Sequence, residues 1–465
     1  MATVTATVIA GEVVATATAG RGATAVTAVP AGANKTSATL GGRDMGFDRT
    51  VLPSGVRVVS ERLEGARSVS IGAWVGTGSR DESAELNGAT HFLEHLLFKG
   101  TPTRSAQEIA ESFDAIGGDI NAFTTRELTC FHARTLGEDL ELALGTIADL
   151  VQNASLFADD VEAERSVVLE EIAMHEDTPD DIVFDVFHET MWPDHPLGRR
   201  VQGLPETVEQ MSRDSIAGFF HRYYTGDNIV VAASGQVEHA QILDLVDRAF
   251  GAQATPRAMR TPGPPPAAAG KLLVHERDIE QAHLVYGTQG IPRGDERRWA
   301  LGLLNVILGG GMSSRLFQEI REKRGLAYAV SSGHMGYNET GMFNIYAGCS
   351  TENVAEVLSI IREQLDAVTT SGITDQELAR AVGHVRGSLV LSMEEPGAQM
   401  SHLGKSELCL GEIMTTEEMI ARVESVTLDD IRHVAADVLG GAPWSLVILG
   451  PALGVDVSSF VGAAA

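Results

Sequence analysis

The order of predicted secondary-structure elements runs twice through this chain of 465 residues. Each time a strand-like apolar run leads into an apolar helix, then a hairpin pattern, then a long charged helix. In the first copy these elements occupy residues 68–76, 88–101, 117–136 and 157–179. In the second copy they occupy residues 282–290, 300–320, 340–350 and 373–391. This pattern predicts an α+β fold made of two homologous α+β domains, each an antiparallel sheet with helices.

A segment rich in proline and alanine separates the two copies and predicts a linker at residues 254–269. We therefore expect an N-terminal domain at residues 43–253 and a C-terminal domain at residues 270–465. Residues 1–42 are rich in Ala, Thr, Val and Gly and carry few charges, a composition typical of a low-complexity, disordered leader. This leader lacks the positively charged start and continuous apolar segment of a secretory signal.

Charge and cysteine content narrow the classes of function. The net charge of −28 disfavours nucleic acid as a partner, because a surface that binds its phosphates needs an excess of Lys and Arg. An acidic cleft would attract basic peptides, although solubility alone would also account for the charge. No stretch is apolar for the roughly 18 residues that a membrane span needs. Three dispersed cysteines form no disulfide framework, which favours a reducing compartment, the bacterial cytoplasm first and the mitochondrial matrix second.

The helix in the segment GATHFLEHLLFKGT (88–101) carries His91, Glu94 and His95 in its middle. Positions i and i+4 lie on one helical face, so the two imidazoles can hold one metal ion. The neighbouring glutamate would reach a water on that metal. The spacing is HxxEH, the inverse of HExxH and the signature of inverzincins. Two satisfied core histidines beside a chance glutamate are the alternative.

The second copy of this helix lacks the three polar residues. When Gly100 is placed over Gly310, the equivalent positions hold Leu301, Leu304 and Asn305. A helix of this kind therefore needs no histidines to pack, which favours a chemical role for those in the first copy.

A zinc site that leaves a position open for water needs a third protein ligand. The acidic helix that follows offers Glu164, Glu170, Glu171 and Glu176. Spacing alone does not choose among them, and most glutamates on such a helix lie on a solvated face.

Four motifs in order resemble the insulinase/pitrilysin metallopeptidases, in the branch of the mitochondrial processing peptidase β subunits and their bacterial homologues. They are GATHFLEHLLFKGT, GGDINAFTTRE, ERSVVLEEI and GGGMSSRLFQEIREKRGLAYAV, within residues 47–450. The resemblance implies one Zn²⁺ per chain, held by His91, His95 and Glu171, with Glu94 as the catalytic base. It also implies that Glu164 supports the site without binding metal.

The same resemblance implies a substrate-binding role for two further segments. Asn121, Ala122 and Phe123 would form a free edge strand to which the substrate backbone pairs; from the residues alone they form an ordinary hairpin strand. Arg321 and Tyr328 would contact the substrate near the scissile bond and stabilise the oxyanion; from the residues alone they belong to a solvated, charged helix.

The resemblance implies a zinc endopeptidase acting on unfolded peptides or short oligopeptides inside a clam-shell chamber. Long members of the family hold four such units and this chain holds two, so we expect a homodimer that completes the chamber. Arg321 and Tyr328 would then face the zinc site of the other subunit. The alternatives are a non-catalytic family subunit and a binding module with structural zinc. No role is assigned to His195, and ordinary packing or exposure is expected for His132, His175 and His221.

Overall fold

A computed structural model describes residues 46–251, 263–267, 270–454 and 456–462, together with the backbone of two short strands nearer the N-terminus. The strands are β1 Val4–Ile9, β2 Glu12–Ala17, β3 Asp48–Val51, β4 Arg57–Arg62, β5 Ser68–Val75, β6 Asp119–Thr124, β7 Thr129–Leu136, β8 Ile229–Gly235, β9 Leu272–Glu276, β10 Ala282–Gly290, β11 Ala327–Gly336, β12 Gly341–Cys349 and β13 Ser445–Gly450. Most of the predicted leader (1–42) and linker (254–269) lies outside the described residues, so the domain boundaries stay predictions.

The helices share the role of covering the sheets. They are α1 Ala89–Leu97, α2 Ala106–Ile116, α3 Leu140–Asn153, α4 Ala158–Glu176, α5 Pro179–Met191, α6 Pro205–Gln210, α7 Arg213–Tyr223, α8 His239–Phe250, α9 Arg298–Leu308, α10 Val354–Ser371, α11 Asp375–Met393, α12 Pro396–Cys409, α13 Thr416–Glu424 and α14 Leu428–Val434. Two π-helical segments, Phe317–Glu322 and Ala435–Leu439, and several 3₁₀ turns of three residues each are also present.

Two large sheets confirm the predicted α+β fold of two related units. The first has the strand order β3-β4-β8-β5-β7-β6 and the second has the order β9-β13-β10-β12-β11. From β4 onward the two orders correspond strand for strand. The sheets are mixed rather than purely antiparallel, because β4–β8 and β9–β13 pair in parallel. In each unit the parallel partners are the first and last strands of the repeat, and the three other strands and the helices of the repeat lie between them in the chain.

The two units exchange a helix. Helix α5 lies between β7 and β8 of the first sheet in the chain but packs on β10 and β13 of the second sheet. Helix α12 lies between β12 and β13 of the second sheet but packs on β4, β5 and β8 of the first. The core under α5 joins Val183 and Phe187 to Val447, and the core under α12 joins Leu403 to Trp74 and Val230. Both faces of β5 and β8 are therefore covered, which explains why nearly every residue of the two strands is buried.

One predicted helix is broken in the middle, and the chain becomes helical again at residue 315. The pattern at residues 300–320 predicts a single helix, but α9 ends at Leu308 and residues 309–311 are all Gly. A β-carbon on Gly309 would lie 2.3 Å from the Ser332 backbone nitrogen, so the chain needs glycine to pass the sheet here. The predicted strand at 282–290 coincides with β10.

In the described part of the chain, every helix is too short or too polar to cross a bilayer.

Candidate metal centre

The start of α1 is held by a buried carboxylate. Glu82 accepts hydrogen bonds from the backbone N–H of Gly88 (2.8 Å) and of Thr90 (2.7 Å), from the Thr90 hydroxyl (2.7 Å) and from the Asn87 side-chain amide (3.0 Å). It thus binds donors that the first turn of a helix leaves free. Burial raises the pKa of Glu82 to about 7, because these hydrogen bonds only partly offset lost solvation.

Helix α1 presents its two histidines toward α4. The rings of His91 and His95 lie edge to face with centroids 4.8 Å apart. The Glu171 Oε2 atom lies 3.5 Å from His91 Nε2 and 3.1 Å from His95 Nε2. Ligand atoms of the three residues all fall within 4.8 Å of one another. Two imidazole nitrogens and one carboxylate oxygen are the donor set of many catalytic zinc sites, so these residues fit the predicted metal.

A fourth residue orients one of the histidines. Glu164, buried on α4 two turns before Glu171, lies with Oε1 3.0 Å from His95 Nδ1. Its other oxygen forms an ion pair with Lys99. This arrangement places the His95 proton on Nδ1 and leaves Nε2 free to bind a metal. The supporting role of Glu164 stays a prediction, and this contact is the one that such a role requires.

The contacts between Glu171 and the histidines shift the pKa values of Glu171 and His95 toward the charged forms of both groups. Hydrogen bonds from His91 and His95 hold the pKa of Glu171 well below its usual range. Burial opposes a charge on His95, but the two neighbouring carboxylates outweigh it and raise the pKa of that imidazole. A cluster in which the carboxylate stays ionised is suited to a cation.

Glu94 lies on α1 between the two histidines and is half-buried. Its carboxylate makes no hydrogen bond or ion pair with another described residue. A carboxylate beside the ligands but free of partners is available to accept a proton.

The remaining ligand candidates are placed away from the triad. Glu170 is exposed on α4 and is not among the residues whose ligand atoms converge. Glu176 forms ion pairs with Arg200 and Arg277. The structure therefore brings Glu171, and neither of these residues, to the histidines.

The predicted substrate strand lies at a sheet edge. β6 is the last strand of the first sheet and pairs only with β7 among the described strands. Asn121 is exposed, Ala122 is buried and Phe123 is half-buried against Trp74, with ring centroids 5.7 Å apart. The Ala122 backbone N–H donates to the Asn121 side-chain oxygen at 2.8 Å. Helix α1 packs beside this strand, so the edge and the metal triad are neighbours.

Arg321, on the π-helical segment before β11, contacts Tyr328 on β11 of the second sheet. The Arg321 guanidinium carbon is 4.5 Å from the centre of the Tyr328 ring, and Nη1 donates to the Tyr328 carbonyl at 2.8 Å. Tyr328 occupies a bulge at the start of the edge strand β11 and is 69 % exposed. Within the described residues of one chain, the pair makes no hydrogen bond or ion pair with the metal triad.

Sequence reasoning missed two residues of the centre, Glu82 and Gln202. The Gln202 side chain donates from Nε2 to Glu171 Oε1 at 3.1 Å. Neither residue has a local spacing signal, although the segment WPDHPLGRRVQG (192–203) stands out in the sequence.

The other histidines have ordinary environments. His195 is buried, with Nε2 2.9 Å from the Gly263 carbonyl, in keeping with loop packing. His132 pairs with Asn121 across the β6–β7 hairpin, and His175 bonds to Asp185 at 3.0 Å.

Comparison with known proteins gives concordant matches. Residues 57–203 match the family model described as "Insulinase (Peptidase family M16)", and residues 210–383 match "Peptidase M16 inactive domain". The chain is 50 % identical over 410 residues to a Streptomyces coelicolor protein named as an uncharacterized zinc protease, covering 87 % of this chain and 89 % of that protein. It is 40 % identical over 403 residues to a Bacillus subtilis protein also named as a zinc protease, covering 87 % and 98 %.

A solved structure, described as a peptidase M16 inactive domain from Pseudomonas fluorescens, superposes with a TM-score of 0.83. It covers 89 % of this chain and 100 % of that chain at 20 % identity, a likeness that concerns the fold alone. His91, Glu94, His95 and Glu171 all fall within the stretch matched by the insulinase model. The stretch matched by the inactive-domain model holds Leu301, Leu304 and Asn305 instead.

Proposed function

The chain belongs to the insulinase family of peptidases, family M16, and from that premise we propose that it is a zinc-dependent endopeptidase with one Zn²⁺ per chain. The observation that carries the proposal is the convergence of His91, His95 and Glu171 on one point, with Glu94 free beside them. The bacterial relatives named as zinc proteases support a metallopeptidase. We also propose that the chain belongs to the branch of the mitochondrial processing peptidase β subunits and their bacterial homologues, and that it acts in the bacterial cytoplasm.

In the proposed reaction the peptide lies extended along β6 and pairs its backbone with residues 121–123. Zn²⁺ at the triad would supply a Lewis acid that lowers the pKa of a coordinated water toward neutrality. Glu94 takes the proton from the attacking water and passes it to the leaving amine. Glu164 keeps His95 in the tautomer that leaves Nε2 unprotonated. Basic peptides are the proposed substrates, because the net charge is −28.

We further propose that the active chamber is a clam-shell homodimer. The exchange of α5 and α12 joins the two sheets through buried cores, so a hinge between the units of one chain would break both cores. Arg321, half-buried on the π-helical segment, and Tyr328, exposed on β11, would then act on a substrate bound at the zinc site of the other subunit. There the guanidinium and the phenol would stabilise negative charge on the scissile carbonyl oxygen.

A non-catalytic subunit is the alternative. The family model named as inactive covers the half that lacks the histidines, and the half with the intact HxxEH matches the insulinase model. That division favours the peptidase.

The decisive experiment measures hydrolysis of a quenched fluorogenic basic peptide together with zinc content, before and after chelation. A general base contributes about 10²- to 10⁴-fold, so Glu94→Gln should lower kcat at least ~100-fold and leave zinc content unchanged. Glu85→Gln is the matched control, because this exposed carboxylate precedes α1 and touches no ligand. Bound zinc without hydrolysis of any peptide in a diverse library would favour the non-catalytic subunit.

A further inference from the structure

The loop between α5 and α6 (residues 192–204) is fastened to the start of the metal-bearing helix α1. A β-carbon on Gly203 would lie 2.5 Å from the Asn87 carbonyl oxygen, and one on Gly88 would lie 2.7 Å from the Gln202 carbonyl oxygen. The two glycines therefore bring the backbones into direct contact. The Asn87 side chain also donates to the Arg200 carbonyl at 2.9 Å.

The same loop reaches the other metal-bearing helix, α4. Arg200 forms ion pairs with Glu176 on α4 and with Glu189 on α5. Gln202 donates from Nε2 to Glu171 Oε1 at 3.1 Å. Through these contacts the α5–α6 loop connects the helix that carries both histidines to the helix that carries their carboxylate partner.

The hydrogen bond from Gln202 distinguishes the two oxygens of Glu171. Oε2 faces both histidine Nε2 atoms, at 3.5 and 3.1 Å, whereas Oε1 accepts from the amide. The Glu171 side chain is 41 % exposed, so packing alone does not fix the carboxylate. A neutral donor on Oε1 opposes rotation of this group and leaves its charge intact.

The second unit provides an internal comparison. Between α5 and α6 the chain has thirteen residues, 192–204, whereas between the corresponding helices α12 and α13 it has six, 410–415. The unit whose helix carries Leu301, Leu304 and Asn305 thus has the shorter connection. The longer loop accompanies the metal ligands.

We propose that Gln202 is a positioning residue of the metal centre, which holds Glu171 so that Oε2 faces the two histidines. The inference rests on the proposed zinc site. Gln202 touches neither the metal nor the substrate, and acts through Glu171. Removal of such an outer hydrogen bond costs about 10- to 100-fold in metal affinity, and a neutral partner on a half-exposed carboxylate belongs at the lower end of that range.

The test measures the zinc dissociation constant of the metal-free full chain by competition with a fluorescent chelator. Gln202→Met and Gln202→Leu both remove the amide donor. Each replaces glutamine with an apolar side chain of comparable size. Gln152→Met is the matched control, because Gln152 is also half-buried and donates its amide, at 2.8 Å, to the Ala249 carbonyl away from the triad. Thermal unfolding of each metal-free protein is recorded in parallel.

We expect the dissociation constant to rise about tenfold in both Gln202 variants, with unchanged unfolding of the metal-free proteins and an unchanged control. A dissociation constant within twofold of wild type in both variants overturns the proposal. Failure of both metal-free variants to fold, or an equal loss in the control, also overturns it, since Gln202 would then act on the fold. A wild-type chain that binds no zinc refutes the metal site itself, and is recognised before any variant is compared.

Discussion

Replacement of Glu164 by Gln tests how the protein prepares His95 to bind a metal. The Glu164 carboxylate lies 3.0 Å from His95 Nδ1 through one oxygen and pairs with Lys99 through the other. Both neighbours are donors, and a carboxylate accepts from both at once. An amide of the same shape has one acceptor and one donor end, so it can satisfy only one neighbour.

Each orientation of the new amide carries a cost. With its oxygen toward His95, the amide N–H groups oppose the Lys99 ammonium, and a buried donor is left unpaired. With its oxygen toward Lys99, the amide donates to His95 Nδ1. The histidine proton then moves to Nε2, the atom that should bind the metal. Both orientations also remove a charge that increases the basicity of the ligand.

We therefore expect Glu164→Gln to weaken zinc binding by about 10- to 100-fold, equivalent to about 1.4 to 2.8 kcal/mol. The assay is competition of the metal-free protein with a chromophoric chelator at pH 7.5. Glu170→Gln is the control, because Glu170 is an exposed carboxylate on the same helix, next to the proposed ligand. A dissociation constant for Glu164→Gln within twofold of the control would refute this account of how the histidine is prepared.

Three further predictions concern stability. Burial lowers the pKa of His188 to about 3, so stability should fall by about 1.4 kcal/mol per unit as pH drops from 6.5 toward 3, where only the unfolded chain gains the proton. His188→Gln should flatten that slope in denaturant titrations, and an unchanged slope would contradict the assignment. Gly203→Ala should cost about 2 kcal/mol or more, because φ is +83° and the Asn87 carbonyl is in the way, whereas Gly145→Ala, in open space, should be neutral or stabilising. Glu407→Gln should cost about 3 kcal/mol, because its two arginine partners lose a buried counter-charge; a change below about 0.5 kcal/mol would show that water replaces it.

Local signals in the sequence predict the elements and the histidine face. The apolar run at 282–290 becomes β10 without a change of boundary, because a short apolar run is a signal that acts over a few positions. The i, i+4 spacing of His91 and His95 places both rings toward α4 for the same reason. The prediction of one helix at 300–320 is wrong because three consecutive glycines end α9. The prediction gave more weight to the apolar periodicity than to these glycines.

Local spacing and periodicity do not predict contacts between residues that are far apart in the sequence. Spacing leaves Glu164, Glu170, Glu171 and Glu176 equivalent, and only the resemblance to a known family selects Glu171 before the structure is seen. Gln202 reaches Glu171 because a glycine-mediated backbone contact holds its loop on α1, and no periodicity reports that contact. The exchange of α5 and α12 is equally hidden, since a helix covers its own sheet or the other with the same amphipathic pattern.

That exchange explains why a unit without metal ligands persists in the chain. Helix α12 belongs to the second unit, yet it covers the face of the first sheet that contains Trp74 and Val230. Loss of the second unit would expose this apolar face, and burial of such residues provides about 1.5 to 3 kcal/mol each. The second unit can therefore lose the chemistry of its histidine positions, where Leu301 and Asn305 stand, but not its fold. In the proposed homodimer, Arg321 and Tyr328 of this second unit would serve the other subunit.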